Sequence, residues 1–209
     1  MTLSPREIAG SDLRSCGQFV REVVHPCRPV VIRGLVSGWP VVQCAQASLH
    51  AFNDYLLTFD VGGQMEAFFG DPAIRGKYYY TDDLHGFNFE RRQMRLAAAL
   101  AALVEGLQRP GSKTLYVGSL PTAEFLPGFA AQNPMPLLGP EVHARIWLGH
   151  ASNIASHYDT LDNLACVIAG ARSGPNAATA MMALTTRSTG MTSTVPSGTP
   201  GNSFSRPRA

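Results

Sequence analysis

Charge is scarce in this chain. Asp, Glu, Lys and Arg make up 15% of its 209 residues, low for a soluble protein. From Ala171 to Ala209 there is no Asp, Glu or Lys at all; the only charged side chains there are Arg172, Arg187, Arg206 and Arg208. The formal net charge is +2, and the basic residues are scattered apart from the pair Arg91-Arg92. That pattern offers no basic face, and nucleic acid is not an expected partner. The four cysteines (Cys16, Cys27, Cys44 and Cys166) show no C-x-x-C spacing. Free thiols in a reducing cytoplasm are expected, not a disulfide framework. No run reaches the ~18 apolar residues of a membrane span, and the opening MTLSPREIAGSDLRS holds no apolar stretch of signal-peptide length. A cytoplasmic, soluble protein without a membrane partner is the expectation, so partners have to be argued from sites.

What is present reads as helices first and strands later. Ser11-Asp12 is placed to cap a short helix carrying Leu13, Phe19, Val20 and Val23. Arg28 to Gly34 (RPVVIRG) reads as a buried strand stopped by glycine, and Gly38-Trp39-Pro40 as a turn with an aromatic anchor. Ser48 opens a second helix, with Leu49, Phe52, Leu56 and Phe59 at roughly helical spacing. Met65 to Phe69 and Lys77 to Thr81 read as strands, and Tyr78, Tyr79 and Tyr80 as strand packing. Glu90 to Arg109 gives the clearest helical pattern, with Leu96, Leu100, Leu103, Val104 and Leu107 along one stripe. Thr114 to Ser119 reads as a strand, and Leu126 to Pro140 as a long ordered loop. Ala144 to Gly149, Asn153 to Asp159 and Asn163 to Gly170 complete the set of strands. This order predicts a mainly β domain with added helices, not alternating βαβ units.

The segment after Gly170 differs in kind. It is rich in Ser, Thr, Gly and Pro, without periodicity, and buries too little apolar surface to offset its ordering entropy. Two parts are expected: an N-terminal portion over residues 1–172, and a low-complexity, disordered tail over residues 173–209.

The chemistry concentrates in SNIASHYDTLDN, Ser152 to Asn163. In a strand, residues two apart share a face, so His157 and Asp159 project together. An imidazole and a carboxylate on one face suit two ligands of a 2-His-1-carboxylate Fe(II) site. A structural His–Asp hydrogen bond would give the same spacing.

Three stretches decide more than the dipeptide does: RPVVIRGLVSGWP, YYYTDDLHGFNFERR and ARIWLGHASNIASHYDTLDNLACVIAGAR. Together, from about Arg28 to Arg172, they resemble the cupin-like JmjC family of Fe(II)/2-oxoglutarate-dependent oxygenases, which includes asparaginyl hydroxylases. The resemblance implies a double-stranded β-helix (jelly-roll) fold, Fe(II) and 2-oxoglutarate as cofactors, and hydroxylation of a protein or peptide side chain. His157 and Asp159 match the first two metal ligands, and Asn163 an active-site amide near the metal. Arg172 stands where the family places a cation against the distal carboxylate of 2-oxoglutarate. Tyr116 matches a tyrosine contacting the same carboxylate, or is a core tyrosine. His85 and Glu90 receive no ligand role.

The family also needs a histidine on a later strand, and no histidine follows His157. Of those upstream, His150 is the nearest substitute. The β-helix is therefore expected to be incomplete at its C-terminal side, and the activity absent or weak. The alternatives are a non-catalytic cupin-like binding module or a non-functional frameshifted product. The simultaneous loss of acids and lysine is what an out-of-frame reading of GC-rich DNA produces. A frame change near Arg172-Ser173 predicts that another frame of the encoding DNA, read past codon 172, restores an aromatic and aliphatic strand and a distal histidine. Finding no such continuation in any frame would refute it.

Overall fold

The computed structural model describes residues 5–154, 162–170 and 179–186. His157, Asp159 and Arg172 lie outside the described residues.

The frame of the fold is a six-stranded antiparallel sheet. Its strands are β3 (Gln64–Gly70), β5 (Phe89–Arg95), β6 (Thr114–Pro121), β7 (His143–Gly149), β9 (Asp162–Ala169) and β10 (Thr179–Thr186). They lie in the order β5-β3-β6-β7-β10-β9. A strand puts alternate residues on opposite faces, and the sequence uses this on every central strand. Met65 and Ala67, Leu115 and Val117, Ile146 and Leu148, and Cys166 and Ile168 are all buried on one face. The residues between them (Phe68, Tyr116, Arg145 and Trp147, then Asn163, Ala165 and Val167) are half-buried or exposed on the other.

Helices cover the first face. The helix α4 (Leu96–Gln108) lies across β3 and β6, and α2 (Pro40–Ala47) packs on β9. Trp39 donates its indole N–H to the Pro134 carbonyl at 2.8 Å, pinning the start of α2. Beside it, α3 (Leu49–Leu57) buries Phe52 and Leu56, and Ser48 Oγ accepts the Ala51 N–H as its cap. The short helices α5 (Thr122–Phe125) and α6 (Phe129–Gln132) close the core. Phe129, Phe59 and Tyr55 meet there edge-to-face, with centroids 5.1 to 6.3 Å apart.

Two small parallel pairs complete the strands: β1 (Arg6–Ala9) with β2 (Val30–Arg33), and β4 (Lys77–Tyr78) with β8 (Asn153–Ile154). The mainly β architecture with helical additions is thus as the sequence implies.

Several elements differ from expectation. Glu90 to Arg95 is not helix: these residues pair with β3 as β5, and α4 starts only at Leu96. Charged residues fit either state, and here Arg91 and Glu66 meet across the strands at 2.7 Å, a cross-strand pair that favours the sheet. At the far end of α4, Leu107 is 46% exposed, so the buried stripe stops at Leu103. Near the N-terminus, the cap falls on Ser15, whose Oγ accepts the Gln18 N–H at 3.2 Å, ahead of α1 (Cys16–Phe19) and a wide helical turn over Val20–Val24. The Leu126 to Pro140 stretch holds α6 and buries Leu126, Phe129 and Leu137. The stretch expected to be disordered supplies β10, which pairs with β7 on one side and β9 on the other. TAMMALTT is eight residues without Gly, Pro or charge. A strand paired on both sides satisfies its backbone groups at every position, which an averaged composition does not register.

Phe129 has no exposed surface. Phe129→Ala is expected to cost about 3–5 kcal/mol of unfolding free energy, whereas Leu107→Ala changes it by less than about 0.5 kcal/mol. Urea denaturation of the two variants measures both; equal losses would contradict the placement of the core.

Candidate functional site

The open face of the sheet carries the candidate site. Registers fix who stands beside whom: Tyr116 lies opposite Phe68 on β3 and Gly149 on β7. Between Val117 and Leu120 the β6–β7 register shifts, and Ser119 takes a left-handed φ of 57°. This bulge lets Val117 and Leu120 both reach the core. Arg145 Nη1 donates to the Ser119 carbonyl at 3.4 Å, bracing the bulge from β7.

Tyr116 sits in a row of aromatic rings. Phe68 and Tyr78 lie 6.0 and 5.6 Å from it, Phe89 contacts both, and Phe87 stacks on Phe89 at 4.9 Å. Gly149 lets β6 and β7 approach closely here: a Cβ would stand 3.0 Å from the Tyr116 ring and 3.2 Å from the Leu115 carbonyl, a tight fit. Burial pushes the Tyr116 phenol up to about 12, helped by the neighbouring Tyr78, so its hydroxyl is neutral and able to donate at any physiological pH. Burial also raises Tyr78, whose hydroxyl lies 2.9 Å from Thr114 Oγ1.

Asn163 stands elsewhere. It is exposed at the start of β9, opposite Thr185, which in turn pairs with His143. His143 and Gly149 are six positions apart on β7, roughly 20 Å at the rise of a strand. Tyr116 and Asn163 therefore mark opposite ends of the open face. The chain flanking residues 155–161 is anchored at the same two ends, with Ile154 beside Tyr78 and Asp162 opposite Thr186.

His150 has a different role from the substitute ligand considered above. It is buried, and its ring continues the β6–β7 ladder. The His150 N–H donates to the Leu115 carbonyl at 3.0 Å, and the Leu115 N–H donates back to His150 Nδ1 at 2.9 Å. With Nδ1 accepting, Nε2 carries the proton and donates to the Leu103 carbonyl of α4 at 3.0 Å. Both ring nitrogens are committed. The ring also rests against Gly106, where a Cβ would approach Nε2 to 2.5 Å. Ligation through either nitrogen would leave the backbone group it now holds, the Leu115 N–H or the Leu103 carbonyl, unpaired, at about 1–3 kcal/mol.

Among the described residues no three His, Cys, Asp or Glu side chains converge as a metal would require, so the metal reading rests on His157 and Asp159. A cavity of about 930 Å³ opens between α5, α6 and the start of β7, lined by Thr122, Leu126, Val142 and His143. Among the described helices none is long and apolar enough to cross a membrane.

The protein-family model described as a cupin-like domain matches residues 17–174. The chain belongs to this cupin-like family. Over 162 residues it is also 30% identical to the human (Homo sapiens) bifunctional peptidase and (3S)-lysyl hydroxylase JMJD7, an alignment covering 73% of this chain. The chain spans 48%, about half, of that relative's length. The cupin-like match takes in the helical cover, the strands β3, β5, β6, β7 and β9 and the SNIASHYDTLDN stretch, while β10 at Thr179–Thr186 lies beyond it.

Arg145 and Trp147, which line this cupin-like sheet face, escaped the sequence reading. The strict alternation in HARIWLG, with Ala144, Ile146 and Leu148 facing inward, was the signal that assigns both to the open side.

His150→Leu is expected to destabilise the fold by about 2–4 kcal/mol, because it strands the Leu115 N–H and the Leu103 carbonyl. His150→Asn, which keeps an acceptor near the Nδ1 position, should lose less. Chemical denaturation of both separates them, and a fully stable Leu variant would remove the structural assignment.

Proposed function

We propose that this chain carries part of an Fe(II)/2-oxoglutarate oxygenase centre of the hydroxylase type, directed at a protein or peptide side chain. The observation that carries the reading is the cupin-like match over residues 17–174, which encloses the H-x-D pair of His157 and Asp159 together with Arg172. In this proposal residues 1–172 are the cupin-like part and residues 173–209 a low-complexity extension from which β10 is drawn. His157 and Asp159 hold the metal. Iron there supplies, with dioxygen and 2-oxoglutarate, the oxidation of a C–H bond to C–OH as 2-oxoglutarate leaves as succinate and CO2. Arg172 pairs its guanidinium with the distal carboxylate of 2-oxoglutarate, a charge-assisted contact. The Tyr116 hydroxyl, kept neutral by burial, donates to the same carboxylate. Asn163, roughly 20 Å along the sheet from Tyr116, is the alternative mark of the metal's end of the face, since one 2-oxoglutarate does not span from the Tyr116 hydroxyl to it. The lysyl hydroxylase named among the relatives makes lysine-bearing peptides the first substrates to try.

A third ligand is missing from the two places considered for it: no histidine follows His157, and His150 is committed to the backbone. Two protein ligands hold Fe(II) weakly, and turnover by residues 1–209 is expected to be absent. That commitment of His150 also favours the second reading, a cupin-like binding module without chemistry.

Two measurements separate the readings. Anaerobic Fe(II) titration should show weak binding that His157→Ala and Asp159→Ala each abolish; titrations identical in all three proteins would leave only the binding module. Succinate formation by the purified chain with Fe(II), 2-oxoglutarate and lysine-bearing peptides is expected at background level. Turnover above background would overturn the expectation of inactivity.

A further inference from the structure

The aromatic row through Tyr116 does not end inside the protein. Past Phe89 it continues to Phe87 and then Tyr80, whose rings are 5.4 Å apart, on the hairpin that links β4 to β5. This hairpin is tightly built. The Thr81 N–H donates to the Gly86 carbonyl, the Tyr79 N–H to Asn88 Oδ1, and Asn88 Nδ2 to the Lys77 carbonyl, all within 2.9 Å. A well-ordered turn has no folding reason to expose large apolar groups, yet Tyr80 is 58%, Phe87 44% and Leu84 75% exposed. The touching, exposed rings of Tyr80 and Phe87, with Leu84 exposed on the same turn, are the kind of apolar surface that marks interaction sites. The turn's own charged residues are acidic. Asp82 and Asp83 stand on the same turn, and residues 79–88 contain no Lys or Arg. Asp83 is spent on the turn, accepting from Thr81 Oγ1 and the His85 N–H. Asp82 is exposed and has no partner among the described residues. Of the neighbouring cations, Arg91 lies over the Phe87 ring at 5.9 Å but is neutralised by Glu66, and Lys77 is exposed on β4.

We propose that Tyr80, Leu84, Phe87 and Asp82 form a docking surface for a peptide segment bearing a lysine or arginine. The exposed Tyr80 ring takes the cation and its methylene stem, and Asp82 supplies the complementary charge. Phe87, stacked on Phe89 and covered by Arg91, backs the Tyr80 ring as an apolar edge. The row leads from this surface to Tyr116, and Ile154 adjoins it through Tyr78, so a docked peptide enters at the Tyr116 end of the open face. Its role as substrate entry rests on the oxygenase reading; the binding itself does not.

The test is fluorescence anisotropy of the purified full chain, without metal, against short labelled peptides whose central residue is Lys, Gln or Glu. The Lys peptide should bind most tightly, and more weakly at high salt. Tyr80→Ala and Phe87→Ala should each weaken it roughly three-fold, and Asp82→Asn should remove most of the Lys-over-Gln preference. Tyr80 and Asp82 are exposed enough that their variants should melt with the wild type, which keeps the comparison free of folding losses. Equal affinity for Lys and Glu peptides, or binding indifferent to Tyr80→Ala and Asp82→Asn, would overturn the proposal. So would a self-associating chain that Tyr80→Ala returns to monomer, because the surface would then be an interface between copies. Selective binding by a chain whose Fe(II) titration is unchanged by His157→Ala and Asp159→Ala retains this proposal and counts against the oxygenase reading. Fe(II) binding that both variants abolish, in a chain with no preference for the Lys peptide, does the reverse.

Discussion

The His150 imidazole holds three elements in one geometry. By taking the Leu115 N–H on one nitrogen and giving its proton to the Leu103 carbonyl from the other, it fixes β6, the end of β7 and α4 together. The open face depends on this junction. Tyr116 is the next residue along β6 from Leu115, Gly149 is the residue before His150, and the chain leaves the junction toward β8 and the H-x-D stretch. A ring that accepts at one end and donates at the other is a rigid spacer. Gly106 is the accommodation α4 makes for it: any side chain there would occupy the ring's place.

The same two-faced logic runs through the sheet. Helices seal one side with Leu, Val and Phe, and the side left open among the described residues collects polar and aromatic groups. Arg145 illustrates the link between fold and site. Its guanidinium reaches the Ser119 carbonyl at the bulge that keeps Leu120 in the core, so a residue on the open face also braces the register of the strand beside it.

Much of this was legible in the sequence. β3, β6 and β7 show the alternation that a half-covered sheet demands, and the family resemblance drawn from three motifs agrees with the cupin-like match. What stayed hidden had physical causes. Glu90 to Arg95 carries charges that suit a helix surface and a sheet edge equally, and only the pairing with β3 decides. The fate of His150 depends on backbone groups at Leu103 and Leu115, which no local pattern reveals. The distance between Tyr116 and Asn163 follows from strand register, a property of partners rather than of either strand. The strand at Thr179–Thr186 was obscured by the composition of its neighbours, although its own eight residues carry nothing that opposes pairing.

That strand has a consequence for the order of assembly. Among the described strands of the sheet, β10 comes last along the chain, yet it lies between β7 and β9. During synthesis β5, β3, β6 and β7 emerge together and can pair in turn, while β9 has no neighbour on the sheet until β10 arrives. The apolar side chains Leu164, Cys166 and Ile168 then wait on a late, non-local closure, the slowest kind of pairing to form. Over that interval the growing chain presents an unpaired edge on β7, where a nascent polypeptide of this architecture is most exposed to mispairing.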